Sequence, residues 1–153
     1  MTQEEVIQIL SGFVGTLGFG FLFNIRGVRL AVTALGGLLS WLLFVLLKRV
    51  IPSETLNYFL VALFMALYAE IMARVLKTPT TTFITTSLVP LIPGGSLYYT
   101  MSSAFEGDLT RFLERALYTL QLAASLALGI MVATAATRLL NEKLRKTAKP
   151  RCK

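Results

Sequence analysis

Apolar and polar residues alternate along this chain in long blocks. Five apolar stretches, near residues 3–23, 29–47, 54–76, 78–99 and 111–140, are separated by short charged clusters. Each approaches or exceeds the ~20 residues a helix needs to cross a bilayer. The pattern predicts an all-α polytopic membrane helical bundle of about five transmembrane helices. The fourth stretch is a poor continuous helix, because Pro90-Leu91-Ile92-Pro93-Gly94-Gly95 interrupts it. Each proline removes a backbone donor and clashes with the preceding turn. Six threonines, Thr78, Thr80, Thr81, Thr82, Thr85 and Thr86, precede the break. A chain that only had to span lipid would carry Leu and Val there.

Broken helix at membrane depth is tolerated only inside protein or along a water-filled cavity. In transporters such breaks place helix ends and freed carbonyls around the solute. The sequence therefore predicts a solute-binding site made by Thr82, Thr86, Pro90, Pro93, Gly94, Gly95 and Ser96. Pro90 falls near the bilayer midplane. A second half-helix starts after Gly95, with Ser96 as its cap, and runs to residue 105. Its first amides suit a carboxylate. The competing reading is a structural kink whose freed groups bond to threonine hydroxyls and neighbouring helices.

Glu70 is the one acidic residue well inside a span, and an intramembrane ionisable group is a functional candidate by default. Two readings stand: a proton-coupling carboxylate, or an i,i+4 ion pair with Arg74 that satisfies itself near the membrane surface. Small residues repeat at helical spacing in three spans: Gly12, Thr16 and Gly20; Ala62, Ala66, Ala69 and Ala73; Ser125, Gly129, Ala133 and Thr137. Such faces let helices approach closely in lipid. Their number predicts a partner subunit, and a possible homo-oligomer, with contacts on the first and last helices.

Composition supports a membrane protein: 55% of the 153 residues are hydrophobic and 15% charged, against about 25% charged in soluble domains. There is no histidine, and the one cysteine, Cys152, lies in the polar tail. That excludes a disulfide framework, a zinc or haem site and a Cys/His nucleophile pair. No metal, no cofactor and no enzymatic activity are expected. Seven of the fifteen positive residues lie between Arg138 and Lys153. The net charge of +7 therefore reads as a juxtamembrane tail rather than a nucleic-acid signal. The expected division is a single transmembrane domain over 1–140 and a basic cytoplasmic tail over 141–153. With the tail inside, eleven positive residues face the cytoplasm and four face out. The positive-inside rule then puts the N-terminus outside and the C-terminus in the cytoplasm.

Ala69-Glu70 with Ala73-Arg74, then Pro79, Phe83, Pro90-Leu91-Ile92-Pro93-Gly94 and Tyr98, resemble the motif of the threonine/serine exporter family. Phe23-Asn24 and Arg26 also fit. The resemblance covers residues 10–140 and is to the short membrane subunit, the part matching the C-terminal half of fused exporters. It implies a two-component exporter in the cell (inner or plasma) membrane, working with a larger membrane subunit. The implied cargo is threonine, serine or a small dicarboxylate such as succinate, and the implied driving force is the proton gradient. The alternative of a different class is a non-transporting membrane scaffold or assembly protein.

Overall fold

A computed structural model describes residues 3–147. All its regular elements are helical: α1 (Gln3–Leu22), α2 (Val28–Val50), α3 (Glu54–Val75), α4 (Thr80–Leu88), a 3₁₀ turn (Val89–Leu91), α5 (Gly94–Phe105) and α6 (Leu109–Thr147). Four of these, α1, α2, α3 and α6, are long and apolar enough to cross a membrane. The fourth expected span is divided between α4 and α5, of 9 and 12 residues.

Side-chain pairs fix the directions. Glu5 pairs with Arg49 at one end of α1 and α2, Gly12 faces Trp41 at their middle, and Gly20 meets Leu30 at the other end. The two helices are antiparallel. We call the Glu5 end the upper end. Gly27 takes φ +66°, which glycine reaches without strain, and starts α2 below. Ser53 starts α3 above, its hydroxyl accepting from the Leu56 amide. Helices α3 and α6 run parallel: Tyr118 bonds to Glu54, Ser125 to the Thr55 carbonyl, and Thr137 to Glu70. The α4–α5 segment therefore returns the chain from lower to upper end, completing five crossings.

The core lies between α2, α3, the break and α6, where Phe44, Tyr58, Val61, Met65, Leu88, Leu91 and Leu122 pack together. A lower cluster seats Phe83 of α4 on Ala69 and Ala73. Most hydroxyls within the bundle bond to a backbone carbonyl three or four residues back, as Thr16 does to Gly12 and Thr33 to Arg29. They satisfy themselves in a medium that offers no water.

Three expectations change. Helix α5 starts at Gly94, with Pro93 in the cap position and no side-chain cap, so Ser96 lies inside the helix. A proline fits that entry because it needs no amide partner there. Helix α6 continues to Thr147, past the expected helix end at residue 140, because Asn-Glu-Lys-Leu-Arg-Lys contains mostly good helix formers. Residues 148–153 of the expected tail, with Cys152, lie outside the described residues. The small-residue faces on α1 and α6 are used within the chain. Gly37 of α2 lies against Thr16, and Gly129 of α6 against the backbone of Phe59 and Leu63 in α3.

Candidate functional site

The break comes about because Pro90 cannot donate to the Thr86 carbonyl, nor Pro93 to that of Val89. The chain tightens instead. The Val89 amide donates to Thr86, and the Ile92 amide donates to Val89 at 3.2 Å. These i→i+3 bonds define the 3₁₀ turn. The two carbonyls expected to line the site are therefore paired. The Thr86 hydroxyl also turns inward, donating to the Thr82 carbonyl at 3.0 Å, and the residue is buried. Polarity quenched in this way gives the kink reading its due for Thr86 and Pro90.

Beyond the turn the opposite holds. Gly94 donates to Ile92 and Leu97 to Pro93. Gly95 and Ser96, the amides between them, have no acceptor among the described residues. Gly94 and Gly95 are exposed, and a Cβ added to either would meet nothing within 4 Å. The first turn of α5 thus presents bare backbone donors to open space. Pro90 packs beside Gly12 and Trp41, near the middle of α1 and α2, so these donors lie deep in the bundle's span.

The expected site residues do not converge on one cavity. Thr82 and Thr86 line a lower cavity of about 250 Å³, with Thr81, Thr85, Phe23 and Ile25. Pro90 lines an upper cavity of about 270 Å³, with Gln8, Ser11 and Trp41. Pro93, Gly94, Gly95 and Ser96 line neither. The threonine run therefore belongs to the lower half of α4 and the helix end to the upper half. A sequence reading joins them because both flank the same motif.

Glu70 does not pair with Arg74, which is exposed. Its two carboxylate oxygens instead accept from the hydroxyls of Thr80, at 2.9 Å, and Thr137, at 3.4 Å. Thr80 is the first residue of α4. One partly buried carboxylate therefore joins α3, the start of the broken span and α6. The ion pairs of the described residues are elsewhere, at the upper end: Arg49–Glu5, Lys48–Glu54 and Arg111–Asp108.

Sequence reasoning passed over Gln8 and Trp41. The signal available was modest: one amide side chain in the second turn of an apolar helix, and the chain's single tryptophan.

Comparison with known proteins adds one match. The model of the family described as threonine/serine exporter, ThrE, matches residues 8–136. No curated protein and no solved structure matches. The match runs from the second turn of α1 into α6 and takes in the break and Glu70. This chain belongs to the threonine/serine exporter family, a family of membrane transporters.

Proposed function

We propose that the chain is the small membrane subunit of a two-component exporter, carrying a carboxylate-bearing solute out of the cell with a larger membrane subunit. The observation that carries this reading is the bare first turn of α5, where the Gly95 and Ser96 amides lack acceptors at membrane depth. Unpaired backbone in a bilayer must be covered, and a helix N-terminus suits an anion. A carboxylate satisfies both conditions. The partner closes the open side, and the outward Ser11, Gly15 and Gly18 of α1 offer it a close approach, since an added Cβ at either glycine meets nothing within 4 Å. The expected result is efflux of threonine, serine or succinate from proteoliposomes holding both subunits. If the two subunits together move none of these solutes above the protein-free rate, the reading fails.

Export is driven by protons through Glu70. Glutamine keeps an acceptor for one threonine and offers a donor to the other hydroxyl, so Glu70→Gln should fold with a stability change within about 1 kcal/mol. It should still bind the partner, while gradient-driven efflux collapses. Normal efflux with lowered stability would make Glu70 a structural tie between helices.

The upper end faces outside and the C-terminus the cytoplasm, in the plasma (inner) membrane. A membrane-impermeant thiol reagent should therefore leave Cys152 unlabelled in intact cells and label it after lysis. Labelling before lysis reverses the orientation.

A further inference from the structure

Helix α5 packs along α6 and makes no comparable contact with any other helix among the described residues. At its lower end it is cut off from α4. Pro90 and Pro93 interrupt the backbone ladder there, and Gly94-Gly95 leaves the junction loose. The seam with α6 is therefore what orients α5. The polar part of that seam is built around one side chain. Arg115 Nη1 donates to the Tyr99 carbonyl at 3.0 Å and to the Ser103 hydroxyl at 2.7 Å. The Ser103 hydroxyl in turn donates to the same carbonyl at 3.0 Å. The guanidinium carbon lies 5.8 Å from the centroid of the Tyr99 ring, within cation–π range. Beside it the hydroxyls of Thr100 and Thr119 meet at 3.1 Å. Residues 94–97 make no hydrogen bond to α6 among the described residues.

An arginine near the end of a span ordinarily runs its stem out to the headgroups. Arg115 instead engages a carbonyl, a hydroxyl and a ring of one neighbouring helix, and it takes part in none of the ion pairs of the described residues. Hydrogen bonds from an ionised donor are roughly twice as strong as neutral ones, so this tether is firm while the junction below is loose. Tyr99 lies four residues, about 6 Å, above Gly95 along the helix. We propose that Arg115 is a positioning residue for export: by fixing the upper half of α5 on α6, it aims the bare Gly95 and Ser96 amides at the passage. This rests on the export reading above. Arg115 acts through α5 and does not touch the solute. Without the tether, α5 swings about its loose junction, and the two amides no longer meet the solute together. The loss is one of solute affinity. The fold survives it, because neither hydrophobic cluster takes a residue from α5.

The test replaces Arg115 by methionine, which keeps an unbranched stem and removes every donor, and by lysine. Both Arg115 bonds leave from one nitrogen, so a lysine ammonium, with three donors, can make them too. Efflux is measured in proteoliposomes holding both subunits, with whichever of threonine, serine and succinate the wild type moves fastest. Arg115→Met should raise the apparent KM about tenfold and leave the maximal rate per folded complex within about twofold. Arg115→Lys should bring KM back to within about threefold of the parent, and Ser103→Ala, which keeps the cation and removes one acceptor, should raise it about threefold. A merely structural arginine would lower the yield of folded complex and leave KM alone. A second readout needs no transport. A nitroxide on Leu97→Cys, an exposed position in α5, in a chain that also carries Cys152→Ser, should gain mobility in Arg115→Met and lose it again in Arg115→Lys. An unchanged KM or an unmoved label in Arg115→Met overturns the proposal. A KM raised by Arg115→Met but untouched by Ser103→Ala, with the label still, makes Arg115 a charge acting on the solute directly and overturns it as well. If the wild type moves none of the three solutes, the export reading fails, and a label freed by Arg115→Met keeps the tether alone.

Discussion

Gly129→Leu should break the bundle itself. An added Cβ at Gly129 would lie 2.6 Å from the Phe59 carbonyl oxygen, 2.9 Å from the Ala62 Cβ and 3.1 Å from the Leu63 amide nitrogen. Two of those neighbours are helix backbone, which cannot move aside as a side chain can. Overpacking costs roughly 1–3 kcal/mol where side chains can yield, and more where they cannot. Leucine adds three further carbons to the same gap, so the loss should exceed about 3 kcal/mol. Helices α3 and α6 would then part along the seam that holds Ser125 on Thr55 and Thr137 on Glu70. The measurement is thermal unfolding in detergent. Gly129→Ala should melt lower than the parent, and Gly129→Leu should yield little folded chain. Unchanged melting together with a lost partner would return this face to the intermolecular contact that small residues at four-residue spacing suggest.

Straightening the break should abolish export and spare the fold. With Pro90, Pro93, Gly94 and Gly95 all replaced by alanine, the Thr86 and Val89 carbonyls regain i→i+4 partners. The 3₁₀ turn becomes α-helix, and the α5 amides are taken up by the preceding turn. Helix content should be kept or raised, because alanine is the best helix former and proline the worst. The donors offered to a carboxylate disappear. A helix-end interaction of this kind gives up to about 2 kcal/mol in partly buried geometry. Losing it lowers affinity by about thirtyfold, and the lost opening of the chain adds to the defect. Efflux from proteoliposomes should fall to background with the larger subunit still bound. Transport at the parent rate would make the break a kink without a role in the passage.

The span pattern could be read from the chain because lipid imposes it: apolar blocks of bilayer length leave little choice but helix. The break was legible for the same reason, since no other segment combines two prolines and two glycines at that depth. What lay beyond reach was which faces meet. Gly129 and Gly12 are equally good candidates for a partner's helix or for α3 and α2, because close approach in lipid looks the same in one chain or two. Glu70 shows a second limit. Arg74 is one turn away in sequence, and Thr137 is remote, but only the fold brings α6 alongside. The carbonyls released by Pro90 and Pro93 show a third. Residue spacing says which bonds are lost, and a local 3₁₀ turn decides which ones replace them.

The length of α6 has a mechanical consequence. Its 39 residues make a rod about 58 Å long, nearly twice the ~30 Å hydrocarbon layer. Arg115, near its upper end, grips the Ser103 hydroxyl and the Tyr99 carbonyl of α5, and Thr137, far below, touches Glu70. The rod thus joins the upper half of the broken span to the carboxylate at its lower start. Arg115 and Thr137 are 22 residues, about 33 Å, apart along it, so a tilt of about 10° about one would carry the other through about 6 Å. A displacement of α5 on one side of the membrane would then pull Thr137 from Glu70 on the other, with no intervening side chain having to relay it.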